Sequence, residues 1–173
     1  MENNQLLILG LLRKRSMYGY ELMEYLDRVM YACVQIKRPT AYFILEKMEK
    51  AGWITSREEQ NGRRPLRRVY ELTDQGEQAY FDLLKQNLST FTQVNLDDDL
   101  GLAFLADMDA DEAVDLLGRR RFQLEANISR LSSAPQHEGT VAWLIEHQQR
   151  YLQHELDWLD EVVKRIKASQ QKE

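Results

Sequence analysis

Residues Lys37 to Leu72 read KRPTAYFILEKMEKAGWITSREEQNGRRPLRRVYEL, and this stretch decides the fold. Between Arg38 and Ala51 the apolar residues Ala41, Ile44, Leu45 and Met48 recur at the spacing of one buried helical face. Gly52 follows, a residue that ends helices because it accepts the left-handed conformation at low cost. Trp53 to Glu58 then predicts a strand, Glu59 to Pro65 a polar, Gly-containing tip, and Arg67 to Leu72 a returning strand that Val69 and Tyr70 favour. Helix, glycine, strand, tip, strand is the order of a recognition helix followed by a two-stranded wing. The hairpin carries Arg57, Arg63, Arg64, Arg67 and Arg68. Guanidinium groups at that density suit phosphate oxygens, which they bind in a fork of two hydrogen bonds.

Working outward, the chain upstream supplies two more helices. Asn3 or Asn4 is expected to cap a helix from Gln5 to about Lys14, whose almost wholly apolar LLILGLL predicts burial on more than one side. Ser16 is expected to cap a second helix from near Tyr18 to about Tyr31, with Leu22, Leu26, Val29 and Met30 at helical spacing. Gly19 lowers helix propensity there, which points to close packing or a tight entry. Downstream, Thr73 caps a helix that Ala79, Tyr80, Leu83, Leu84 and Leu88 carry to about Ser89. An acidic break, Thr90 to Asp99, follows.

The expected domains are 1–92, a winged helix-turn-helix, and 93–173, a helical dimerisation and effector domain. In the second, Asp109 caps a helix with Val114, Leu117, Leu124, Ile128 and Leu131 on one stripe. The last helix, from 138–140 to about Ala168, carries Val141, Ile145, Leu152, Leu156, Leu159, Val163 and Ile166. Two amphipathic helices of this length are short of apolar partners within one chain. Pairing with a second copy would bury the remainder, so Val141, Ile145, Leu152, Leu156, Leu159 and Val163 are the candidate dimer contacts. The fold class is mainly α.

Charge divides at the same place. The chain carries a net −5, but residues 1–88 hold 14 Lys+Arg against 12 Asp+Glu, and residues 89–173 hold 9 against 16. A local basic footprint thus survives an acidic total. No apolar run approaches the roughly 18 residues of a membrane span. Met1 to Gly10 lacks the features of a secretion signal, and Cys33 is the only cysteine, so a cytoplasmic protein without disulfides is expected.

On the recognition helix Lys37, Arg38, Thr40, Tyr42 and Lys47 lie off the apolar stripe or at the N-terminal end, which in such a helix meets base edges. Arg38 is a candidate reader of guanine, and Thr40 and Tyr42 are candidate phosphate donors. Tyr42 has a competing role, packing on the base of the wing. Arg63 and Arg64 at the tip are candidates for a narrow minor groove. Arg57, Arg67 and Arg68 are candidates for the flanking backbone or for pairing with Glu58 and Glu59. Tyr18 and Tyr20 are placed to reach the backbone or the core.

These stretches resemble the PadR family of bacterial transcriptional regulators. The likeness is carried by Tyr18-Gly19-Tyr20-Glu21-Leu22, by Thr40-Ala41-Tyr42 with Leu45, Met48-Glu49 and Gly52-Trp53-Ile54, and by Gly62-Arg63-Arg64-Pro65. It continues through Arg68-Val69-Tyr70-Glu71-Leu72-Thr73 and Gly76. Together they span most of residues 5 to 90. Phe43 stands where many relatives carry proline, and Met48 where many carry leucine. Phe104-Leu105, Glu112 to Leu117 and Tyr151 to Leu159 are similar to the subgroup related to virulence activators, with its longer helical domain. The resemblance implies a homodimer joined by the C-terminal helices, acting on an inverted-repeat site in double-stranded DNA. It implies that a small molecule, such as a phenolic acid, or a stress signal alters that binding.

The function expected is a sequence-specific repressor. Acids beside the wing, Glu58 and Glu59, and the acidic second half favour a different class, a winged-helix protein-interaction module that leaves DNA alone. The sequence shows no catalytic constellation, cofactor loop or zinc pattern. His147 and His154 are seven residues apart, which is not a ligand pair of the usual spacing.

Overall fold

The computed structural model describes residues 2–28, 36–60, 66–91, 97–133 and 138–170. The chain forms two units, Met1–Thr92 and Gln93–Glu173. The first contains α1 (Glu2–Leu12), β1 (Met17–Tyr18), α2 (Gly19–Arg28), α3 (Arg38–Lys50), β2 (Ile54–Glu59), β3 (Arg67–Leu72) and α4 (Asp74–Ser89). The second contains a 3-10 segment (Asp97–Asp107), α5 (Ala110–Ser132) and α6 (Thr140–Gln170).

The core of the first unit lies among α1, α2, α3 and the inner face of the sheet. Ile8, Leu9, Leu22, Ile44, Leu45, Met48 and Ile54 are its fully buried side chains. The four apolar positions expected on α3 are all buried. The helix ends as the sequence predicts. Gly52 takes φ 73°, its N–H donates to the Glu49 carbonyl (3.0 Å), and the Trp53 N–H reaches the Met48 carbonyl (2.9 Å). This is a Schellman cap, and only glycine holds that backbone without strain.

Two local expectations change. α1 begins at Glu2 and runs through Asn3 and Asn4, so neither is a cap. Ser16 does not cap α2; Met17 and Tyr18 form a third strand, and the Ser16 hydroxyl donates to Glu71 instead (3.2 Å). The start of α2 is held by Glu21, whose carboxylate accepts from the Tyr18 N–H (3.3 Å), the reciprocal half of a capping box. The sheet is therefore three-stranded and antiparallel, in the order β1-β3-β2, where the sequence predicts two strands. The expected residues Val29 and Met30, and Cys33, lie outside the described residues.

α4 is joined to the wing through Thr73. Its hydroxyl accepts from the Gly76 N–H (3.0 Å) and donates to the carbonyls of Gly52 (2.7 Å) and Trp53 (3.0 Å). From there α4 packs along α1, with Tyr80 and Leu83 against the core.

In the second unit α5 and α6 pack antiparallel. Arg121 reaches Asp160 (2.8 Å), and Gln170 reaches Asp111 (3.2 Å) at the far end. Asp109 caps α5, as expected, by accepting from the N–H groups of Asp111 (3.0 Å) and Glu112 (3.1 Å). Ala113, Leu117, Leu131, Leu156 and Leu159 are buried between the helices. α6 has 31 residues, roughly 46 Å at 1.5 Å per residue. The 3-10 segment is two short pieces meeting at Phe104, where φ −115° and ψ 16° leave the helical region.

Candidate nucleic-acid interface

α2 and α3 form the helix-turn-helix, and β2 and β3 form the wing beside it. A hydrogen bond between Ser56 of β2 and Glu49 of α3 (2.5 Å) ties the two. The face of α3 opposite its core carries the candidates. Lys37, Arg38, Thr40, Tyr42 and Lys47 are all exposed. Lys37 sits at the N-cap with φ −66° and ψ 139°, and Pro39 lies in the first turn, where its missing N–H costs nothing. Arg38 is not idle: its guanidinium lies 3.2 Å from Asp27 of α2, with both side chains largely in solvent.

Tyr42 is split between two roles. It is 46% exposed, yet its ring edge borders Gly19 so closely that a Cβ there would lie 3.4 Å from it, with Tyr70 on the other side at 3.3 Å. The close packing expected of Gly19 is thus present, and it seats Tyr42 against the start of α2.

The outer face of the sheet gathers the wing's charges. Strand register places Thr55, Arg57 and Glu59 opposite Glu71, Val69 and Arg67, with Tyr18 beyond Val69. Arg57 donates to Glu59 (2.8 Å) and to Glu71. Tyr18 Oη donates to Glu59 (2.8 Å), its ring stacks on Tyr20 at 5.6 Å, and the Arg67 guanidinium lies 4.8 Å over the Tyr20 ring. The structure so brings Tyr18, Tyr20 and Arg67 into one cluster, the two tyrosines on either side in the chain of Gly19, against which Tyr42 of α3 sits. The Arg57 guanidinium and, after it, the Tyr18 hydroxyl hold the Glu59 carboxyl below its ordinary range. The same bond to Glu59, together with burial, pushes the Tyr18 phenol up.

Arg68 points the other way. It bonds the Tyr70 hydroxyl, opposing the rise that burial gives that phenol, and its charge reaches Glu46 on α3. That places it on the α3 side of the wing. Sequence alone leaves Arg67 and Arg68 equivalent; strand alternation separates them. Arg63 and Arg64 lie outside the described residues.

Of the six candidate dimer contacts, Leu156 and Leu159 are buried within a single chain, at 9% and 1% exposure. Ile145, Leu152 and Val163 are half-buried and Val141 is exposed. Trp143, on the same helix, is 69% exposed and Phe122 of α5 is 72% exposed, large apolar surfaces off the candidate dimer stripe. Among the described residues no group of three acidic, His or Cys side chains is placed to hold a metal, and no helix is long and apolar enough to cross a membrane.

Residues 8–81 match the model of the transcriptional regulator PadR-like family. The negative transcriptional regulator PadR of Bacillus subtilis (strain 168) is 29% identical over 127 residues, 73% of this chain and 70% of that one. Crystal structures of Bacillus subtilis PadR in complex with operator DNA and with p-coumaric acid superpose with TM-scores of 0.81 and 0.78. Each is 24% identical and covers 94% of this chain and 98% of its own. The Vibrio cholerae virulence activator AphA superposes with a TM-score of 0.77 at 16% identity, over 96% of this chain and 99% of that one. At these identities the superpositions establish a shared fold.

Proposed function

We propose that this chain is a PadR-like transcriptional regulator, a sequence-specific repressor acting as a homodimer on an inverted-repeat operator in the cytoplasm. The observation that carries this is the outward face of α3, where Lys37, Arg38, Thr40, Tyr42 and Lys47 stand in solvent beside a wing fixed to the same helix. Met1–Thr92 is the DNA-binding unit in this reading, and Gln93–Glu173 the dimerisation and effector unit. Phosphates draw the cations in and set the register; side chains at the start of α3 read base edges in the major groove. Two copies related by a two-fold axis present two such helices, to half-sites whole turns apart at about 34 Å per turn.

A phenolic acid is the effector class favoured, because the PadR of Bacillus subtilis, a relative with the same fold, has been solved with p-coumaric acid. In this reading the ligand prefers a conformation that binds DNA poorly, and a difference in affinity between the two states is what shifts the equilibrium.

The test is a fluorescence-anisotropy titration of the full chain on duplexes from the region upstream of its own gene, at several salt concentrations, with and without p-coumaric acid. The expected result is saturable binding whose logarithm falls linearly with the logarithm of salt, and release by the acid. Binding that ignores the acid removes the effector assignment alone. No binding at low salt overturns the regulator reading and favours the protein-interaction module, which the neutralisation of Arg57 by Glu59 and Glu71 also supports.

A further inference from the structure

The cationic account of α3 leaves one side chain unused. Phe43 lies near the centre of the helix's outward face and is 55% exposed. Pro39 and Lys47 flank it one turn before and after, Glu46 lies beside it and Lys50 two turns on, all of them exposed. The buried face of the same helix is already complete in Ala41, Ile44, Leu45 and Met48. A single exposed aromatic residue is common on protein surfaces. Phe43 differs in its place, a large apolar ring one turn before Lys47 on the outward face of the second helix of a helix-turn-helix. Glu46, the one acid beside it, is held by Lys50 at 2.6 Å, which keeps its carboxyl below the ordinary range and its charge compensated.

We infer that Phe43 is a specificity-determining residue that packs on the 5-methyl group of a thymine in the major groove. The inference rests on the DNA-binding reading above and deepens it. In that groove every base pair offers hydrogen-bonding groups, but only the thymine methyl offers apolar surface. A phenyl ring cannot satisfy the polar groups it would cover at a G·C pair, and it gains by removing a methyl from water. Thr40, one turn earlier, and Lys47, one turn later, supply the polar contacts on either side.

The experiment selects duplexes from a randomised pool with the full-length protein, in parallel for the wild type, Phe43→Ala and Phe43→Leu, followed by replacement of single thymines with deoxyuridine in the selected site. Because Phe43 is exposed, both variants are expected to keep the wild-type circular dichroism and melting temperature. Expected is a thymine in each half-site that the wild type enriches, Phe43→Leu enriches weakly and Phe43→Ala does not. Deoxyuridine at that position should weaken the wild type by about fourfold, one methyl-sized group at ~0.8 kcal/mol with 1.4 kcal/mol per tenfold, and leave Phe43→Ala unchanged. Identical sites for all three proteins with no uracil effect would overturn the contact while leaving DNA binding intact. If the wild type enriches no sequence, the DNA-binding reading itself fails and takes the contact with it.

Discussion

Tyr18 donates a 2.8 Å hydrogen bond to Glu59, linking the residue that enters α2 to the last residue of β2. The bond crosses the sheet, since Tyr18 pairs with Val69 on β3 and Glu59 pairs with Arg67. It holds the wing to the helix-turn-helix from the outside, as Ser56 and Glu49 do from the inside. Tyr18→Phe should leave the core untouched and speed amide exchange across Ile54–Glu59; unchanged exchange would show that the register of β2 and β3 suffices.

The same contact has a pH signature. Glu59 is held below its ordinary range in the folded chain by Arg57 and then by Tyr18. A depressed carboxylate contributes its stabilisation above the unfolded value and loses it as pH falls through the lowered one. Exchange protection of β2 should therefore be flat at neutral pH and decline in that acid window, and Glu59→Gln should abolish the decline.

Gly76 lies against the chain turn at Trp53, where a Cβ would come within 1.9 Å of the Trp53 carbonyl oxygen. Backbone cannot give way as a flexible side chain does, so Gly76→Ala should cost about 3 kcal/mol or more in urea denaturation. Gly118, inside α5 with nothing within 4 Å of its Cβ position, is the control. There alanine should stabilise by about 0.5–1 kcal/mol through helix propensity alone.

On α6, Leu159→Ala should lower the stability of the chain by about 2–5 kcal/mol, because the side chain is 1% exposed against α5. Val141→Ala, from an exposed residue of the candidate dimer stripe, should leave the folding midpoint nearly unchanged and weaken self-association in sedimentation equilibrium. The reverse pattern would move the proposed dimer contact off this face.

Arg38 is shared with Asp27 at 3.2 Å. Removing the acid, Asp27→Asn, should release the guanidinium to the duplex and tighten binding, most visibly at low salt. Arg38→Ala should cost about 1–3 kcal/mol and relax specificity at one or two bases. A loss uniform over all sequences would assign Arg38 to the phosphates.

The helices and the two long strands were legible because each has a local cause that repeats: apolar spacing on α3, Gly52 at its end, Thr73 and Asp109 as caps. β1 was not, because two residues carry no period; its pairing is decided by β3, fifty residues away. Nor could spacing show that Glu21, rather than Ser16, holds the start of α2, since both stand within reach of it along the chain. The candidate site divides the same way. Which α3 residues face outward follows from the helical period, and the pairing of Arg57 with Glu59, two residues on along the same strand face, was expected; the capture of Arg57 by Glu71 depends on strand register, and that of Arg67 by Tyr20 on how α2 meets the sheet. Leu156 and Leu159 share a stripe with Val141, and only the packing of α5 tells which end of that stripe is already covered.

Thr73 grips both carbonyls at the end of the α3 turn and also the first turn of α4. A torque on α4 is consequently delivered to α3 through one hydroxyl and a backbone seam that leaves no room to slip, with Gly76 as its closest point. Two helices so joined form one mechanical piece, so a rotation of α4 carries the outward row of α3 with it.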